Sequence, residues 1–326
     1  MTTTTLTKSR FSLRGTEFTL AAIAVACYVI LAATTGGSVL SGHTITTILA
    51  FLAVPMMVGL SQMAVLAVGQ MNLSVGVLTG FSAMICAWLM VQVGLPAWLA
   101  VSCGMLVGAG IGLINGLLVV LTKINGFIVT LATMTIIDGL RYGVHGTATY
   151  QGYSKGLVSL GQGSVLGVPG VFILAVLVAI AVAFFFRRAA LGRQLLASGG
   201  NPFAARLSGV SNDRALVLAH VISGLLAGVA GVITVALSGS VNATIGDDLL
   251  LPSFAAPIIG GVALAGGVVS VLGTCLAALI IRLVDVAQAQ YSINPQWVDL
   301  IIGAVVLGAV LVTQLRVVRR RRSTSP

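Results

Sequence analysis

Apolar runs of nearly bilayer length follow one another along this chain of 326 residues, and nothing else in it constrains the fold so tightly. A helix needs about 20 apolar residues to cross a hydrocarbon core. Reading runs and breakers gives ten such segments, at about 18–35, 44–68, 75–93, 97–122, 127–146, 169–186, 216–238, 252–264, 268–285 and 298–315. A soluble α/β domain would need roughly a quarter of its residues charged to coat its surface. Only 7% are charged here, so the expected fold is an all-α integral membrane bundle.

The eighth run is the weak one, because its apolar stretch is about 13 residues long before Ala265-Gly266-Gly267. It reads as a half-helix or re-entrant piece, which leaves eight or nine crossings open beside ten. A formal charge of +10 could suggest nucleic acid as a partner. Most of the cations, however, sit in three clusters that flank apolar runs, at Lys8–Arg14, Arg187–Arg214 and Arg316–Arg322. They read as cytoplasmic anchors held by anionic lipid, with no nucleic acid involved.

Ten crossings place all three clusters, and both termini, on the cytoplasmic side. The same count puts Lys123 inside, and Asp247, Asp248 and the 147–168 loop outside. The expected organisation is a cytoplasmic tail over 1–17, one transmembrane domain over 18–315 with a cytoplasmic loop at 187–215, and a basic tail over 316–326.

Within the bundle, Gly104, Gly108, Gly112 and Gly116 recur every four residues, and Gly224 and Gly228 repeat the pattern. Such stripes let backbones approach closely in lipid. Glycine- and polar-broken segments also occur once in each half, at 69–76 and 260–267. Paired breaks of this kind often mark a transport pathway.

The first break, GQMNLSVG, carries Gln70, Asn72 and Ser74 between two apolar runs. Asn115, Asn125, Thr130, Thr133 and Thr135 punctuate the fourth and fifth runs. Neutral amides and hydroxyls could line a path for a hydroxylated solute without burying charge. Each could equally cap or bond its own helix. Asp138/Arg141 and Arg282/Asp285 are pairs three residues apart, close to the expected outer ends of their helices. They suit interfacial ion pairs, or the relay of an ion-coupled secondary transporter.

Catalysis has no constellation here. None of the three His, at 43, 145 and 220, has a second ligand at metal spacing, no Lys follows a Gly as a Walker A sequence requires, and the four Cys lie in apolar runs. The expectation is no catalytic residue, no metal and no cofactor bound by this chain.

The loop contains a local structure of its own. Asn201 reads as an N-cap, Pro202 as the first helical residue and Gly209 as the stop of a short helix. Phe203 and Leu207, four apart with Arg206 beside them, share one face. Two turns do not hold themselves together in water, so the membrane surface or another protein must bury that face.

Taken in order, GQMNLSVG, NGFIVTLATMTIIDGL, LGRQLLASGGNPFAARLSGV and PIIGGVALAGG resemble blocks of the permease subunits of ribose-type sugar ABC importers. The likeness runs from about residue 45 to 315. It implies a subunit that translocates a sugar or similar polyhydroxylated solute and works with a second permease copy, identical or different. It also implies two cytoplasmic ATPase subunits that use ATP-Mg, and an extracytoplasmic solute-binding protein.

By that likeness Gly200, Asn201, Pro202, Phe203, Ala205, Arg206, Leu207, Ser208 and Gly209 form the segment that couples to the ATPase. Two positions depart from the pattern: Met71-Asn72 stands where Ile-Asp is common, and Asn125-Gly126 where a Pro-Pro-like pair is. Both bear on the solute more than on the machine. Nucleoside or branched-chain amino-acid permeases of the same broad type are the alternative.

Overall fold

A computed structural model describes residues 13–165, 167–294, 296–297, 300–304 and 307–308. Twelve α-helices make up most of this part: α1 (Leu13–Thr34), α2 (Gly42–Leu66), α3 (Val75–Val91), α4 (Ala97–Thr122), α5 (Gly126–His145), α6 (Lys155–Gln162), α7 (Gly170–Arg188), α8 (Ala190–Gly200), α9 (Pro202–Leu207), α10 (Asn212–Leu237), α11 (Leu250–Ile259) and α12 (Val271–Gln290).

Among the described residues seven helices, α1, α2, α4, α5, α7, α10 and α12, are long and apolar enough to cross a membrane. Nine of the ten runs read from sequence thus resolve into those seven, the 17-residue α3 and the 10-residue α11. The tenth run, 298–315, falls largely outside the described residues, as does the basic tail. At 1.5 Å per residue α11 is about 15 Å long, half a hydrocarbon core, and this is the physical content of its short apolar run.

The long helix α2 is buried on nearly all sides from Leu52 to Leu66 and forms the axis of the bundle. Being apolar all round suits it to that place. Against it pack α7, α10, α11 and α12. Outer helices turn large apolar side chains away from the bundle, as at Val25 and Ile30 of α1, Leu106 and Leu121 of α4, and Leu177 and Phe184 of α7. In lipid these faces carry no hydrophobic penalty.

The two glycine stripes meet each other. A Cβ on Gly108 would stand 2.9 Å from the Gly228 Cα, one on Gly224 2.9 Å from the Gly112 Cα, and one on Gly116 2.8 Å from the Val217 Cα. Helices α4 and α10 therefore touch backbone to backbone, closer than any side chain would permit.

Two short antiparallel pairings order the loops. β1 (Tyr150–Gln151) pairs with β4 (Ser240–Val241), with Tyr150 opposite Val241, and β2 (Ser164–Val165) pairs with β3 (Val168–Pro169). The first pairing joins the 147–168 loop to the loop after α10, so both lie at one end of the bundle. Beside it the Tyr153 phenol donates to the Tyr150 carbonyl at 2.7 Å, and burial raises the Tyr153 pKa to about 12.

Candidate translocation and coupling sites

At the opposite end, α7 stops at Arg188, an extended Ala189 turns the chain, and α8 leads into α9. The Asn201 side chain accepts from the Ala204 amide at 3.0 Å as N-cap, Pro202 opens the helix, and the Val210 amide closes it on Ala205 O at 3.0 Å. Gly209 takes the left-handed conformation that ends it, with φ +81°.

Ala205 is the buried contact of α9, while Phe203 is 75% exposed and Leu207 76%. Arg206 and Ser208 are exposed beside them. Asn212, the first residue of α10, holds the helix in place: it accepts from Ser198 Oγ at 2.9 Å and donates to Pro202 O at 2.9 Å. The small helix is thus rigidly mounted on α8 and α10 and presents an apolar face to whatever lies outside. A surface ion pair, Lys123–Asp213 at 3.5 Å, adds little energy but puts the end of α4 next to the start of α10.

Immediately before α9, the chain meets the end of α2 and the second broken segment, which itself packs on the first. The Gly267 amide donates to Ala67 O at 2.9 Å, and a Cβ on Gly199 would overlap that same oxygen. A Cβ on Gly266 would lie 2.7 Å from Gly69 N and 2.9 Å from Gly199 O, and one on Gly267 2.5 Å from the Gly200 Cα. Gly266 and Gly267 both have positive φ, at 89° and 80°. The end of α8 and the breaks at 69–76 and 260–267 therefore form one junction made of backbone.

From the first break a network of buried polar side chains runs into the bundle. Asn72 Nδ2 donates to Ser223 Oγ at 3.0 Å, and Ser74 Oγ donates to Asn72 Oδ1 at 2.6 Å. Asn115 Nδ2 reaches Ser74 Oγ at 3.4 Å, and Thr133 Oγ1 donates to Asn115 Oδ1 at 2.6 Å. The Leu73 amide donates to Thr130 Oγ1 at 3.0 Å, and the Gly126 amide to Gln70 Oε1 at 2.9 Å.

Of the eight residues that the sequence suggests for a pathway, six are thus brought together, while Thr135 is exposed and bonds only Leu131 O of its own helix at 3.2 Å. Asn125 stands apart as the N-cap of α5, accepting from the Phe127 amide at 2.9 Å. Asn72, Ser74, Asn115 and Thr130 have no exposed surface in this conformation, and Thr133 is buried. The network is a joint between α3, α4, α5 and α10. Every member that lost its partner would leave a buried polar atom costing about 1–3 kcal/mol.

Sequence reasoning missed several members. Ser61 donates to Ser223 O at 2.8 Å, and the neighbouring Gln62 amide can donate to Asn72 O at 2.9 Å and accept from Asn72 N at 3.3 Å. His220 is fully buried, with Nδ1 2.9 Å from Leu216 O. The signal was a Ser-Gln pair in the middle of an otherwise apolar run, and a polar Ser223 beside a glycine of the stripe.

The ion pairs are present with one more partner than expected. Arg141 is fully buried and binds Asp138 on its own helix, Asp247 across the bundle and Ile245 O at 2.9 Å. Both carboxylates are about half exposed, so water helps to solvate the cluster. Arg282 Nη1 lies 3.9 Å from Asp285 Oδ2 on α12.

Residues 38–310 match the model of the family described as branched-chain amino acid transport system / permease component. Among curated proteins, the chain is 34% identical over 288 residues to a fructose import permease of Rhizobium meliloti, covering 86% of this chain and 80% of that one. It is 30% identical to a D-allose transport system permease of Escherichia coli (strain K12), covering 85% of each chain. To an L-arabinose ABC transporter permease of Azospirillum brasilense it is 31% identical, covering 81% of this chain and 78% of that one. No solved structure matches the chain.

Proposed function

The chain belongs to the branched-chain amino acid transport system / permease component family, and from that membership we propose that it is the permease subunit of an ABC importer. Its cargo is a sugar or a similar small polyhydroxylated solute, and its place is the bacterial inner membrane, which it crosses several times. The observation that carries this reading is identity of 30–34% to permeases named for sugars over more than four fifths of the chain.

The finer architecture follows from charge and packing. The chain crosses the bilayer ten times with both termini cytoplasmic, α11 forming a short segment in the second half. Residues 18–315 are one transmembrane domain, 187–215 its cytoplasmic loop, and 1–17 and 316–326 its tails. A second permease copy, two ATPase subunits that hydrolyse ATP-Mg, and an extracytoplasmic solute-binding protein complete the machine.

Work enters at α9. The ATPase grips Phe203 and Leu207, with Arg206 at the edge of the contact. Because Asn212 bolts α9 to α8 and α10, the helix does not bend away when pushed; it moves α8 with it. The last residues of α8 rest on Ala67 at the end of α2 and on Gly266 and Gly267, and Gly266 in turn packs on Gly69, so the push reaches 260–267 directly and 69–76 through it. Gln70, Asn72, Ser74, Asn115, Asn125, Thr130 and Thr133 line the path that opens when the network parts, which is alternating access by two arrangements of one packed joint.

The test is uptake by the importer reconstituted with its ATPase and binding protein, offered labelled D-fructose, D-allose, D-galactose, D-ribose, L-arabinose and L-leucine in turn. Import of at least one of the sugars is expected. Import of leucine alone would move the cargo to the amino acids in the family's description.

A further inference from the structure

Some 26 residues of α10 separate the α9 end of the bundle from the other, a rise of about 39 Å. At that far end a cavity of about 470 Å³ opens between α2, the end of α10, the 245–249 turn, α11 and α12. This volume lies within the range of small-molecule sites, about 300–1,000 Å³.

Its polar wall is ordered. Arg282, Asp285 and Gln288 follow at three-residue intervals along one face of α12, Asp248 comes from the turn, and Ser238 caps α10. Val54, Leu237 and Ile281 supply an apolar wall. The guanidinium is held on both sides: the Phe51 ring centroid lies 5.1 Å from its Cζ, and the Asp285 carboxylate 3.9 Å from Nη1. Its Nε is buried with no hydrogen-bond partner. Pro55, inside α2 and also lining the cavity, has no N–H to give to the Phe51 carbonyl, which loses its α-helical donor.

We propose that this cavity is an outer recognition site in which the permease itself binds a neutral polyhydroxylated solute, a deepening that rests on the sugar-permease reading above. Vicinal hydroxyls both donate and accept. Carboxylates on one wall accept from them, a fixed guanidinium and an amide donate to them, and the apolar wall takes the C–H face of the ring. Two carboxylates against one guanidinium leave no surplus positive charge, so sugar acids and sugar phosphates are disfavoured.

The site is also linked to the rest of the bundle. Ile245, Gly246, Asp248 and Leu249 of its turn line the cavity, while Asp247 and Ile245 O of the same turn are bound by Arg141 of α5.

The test uses the assembled importer in proteoliposomes, with the five labelled sugars and leucine as probes. For a sugar that the wild type imports, Arg282→Gln and Ser238→Trp, which fills the cavity, should each lower uptake about tenfold or more at subsaturating sugar, as loss of charged hydrogen bonds to a ligand implies. Gln288→Ala, removing one amide from the rim, should lower it by a smaller factor. The ATPase should co-purify with all three variants as with wild type. If sugar is imported by the wild type and all three variants keep its rate, the site is wrong and the sugar reading stands. If leucine alone or none of the probes is imported, the sugar reading fails and the site falls with it.

Discussion

Gly199→Ala adds a single methyl group at the backbone junction and isolates what that junction does. The new Cβ would overlap the Ala67 carbonyl oxygen and stand 2.7 Å from Gly267 N and 2.9 Å from Ala67 C. No side chain is there to swing aside. Comfortable carbon contacts begin near 3.5 Å, so α8 must withdraw by about 1 Å. Overpacking of this kind costs about 1–3 kcal/mol, and about 2 kcal/mol shifts a conformational equilibrium roughly 30-fold.

The proposed coupling face, Phe203 and Leu207, is untouched by the substitution. The ATPase should therefore still co-purify and hydrolyse ATP, while sugar uptake falls about tenfold or more. Gly110→Ala is the matched comparison: it is also helical, in α4, but its Cβ meets nothing within 4 Å. Alanine there improves helix propensity by at most about 1 kcal/mol and should leave uptake as it is. If Gly199→Ala transports within twofold of wild type, or if the two variants behave alike, the junction does not transmit the push.

Phe203→Asp should weaken co-purification with the ATPase about 30-fold or more, the scale of losing a buried aromatic anchor, while membrane insertion is unchanged; normal binding would remove α9 from the interface. Thr133→Val deletes the donor to Asn115 and should cost about 1–3 kcal/mol in a thermal-unfolding assay, whereas Thr135→Val, whose hydroxyl bonds only its own helix at Leu131 O, should change stability by much less. Equal melting shifts would show that the Thr133–Asn115 bond adds nothing to the stability of the bundle. Arg141→Met should raise amide hydrogen exchange over 245–249, since Asp247 and Ile245 O lose their shared partner; unchanged exchange would mean that other contacts hold the turn.

Much of the chain was legible because the relevant rules are local. The expected run at 127–146 is α5 at Gly126–His145, and the run at 169–186 is α7 at Gly170–Arg188. The cap, proline and glycine of α9 span nine residues and could be read as a unit. Even the shortness of α11 lay in its apolar run.

What could not be read were partners far away along the chain. Ser61 and Ser223 are 162 positions apart, and Arg141 and Asp247 are 106 apart. Helical spacing tells which side chains share a face but not what that face meets. Gln70, Asn72 and Ser74 therefore suggested a wet path, and in this conformation most of their group bond one another. The glycine stripes on α4 and α10 were each visible, yet only packing shows that each is the other's counterpart.

The junction at Gly199 has a consequence for how such a permease changes cargo. It is assembled from amides, carbonyls and α-carbons, with no side chain that could be matched to a particular solute. Residues around the outer cavity can be exchanged over generations without touching it. With the proposed outer site and the proposed drive, selection for a new sugar and preservation of the push act on different atoms, so one can drift while the other is inherited unchanged.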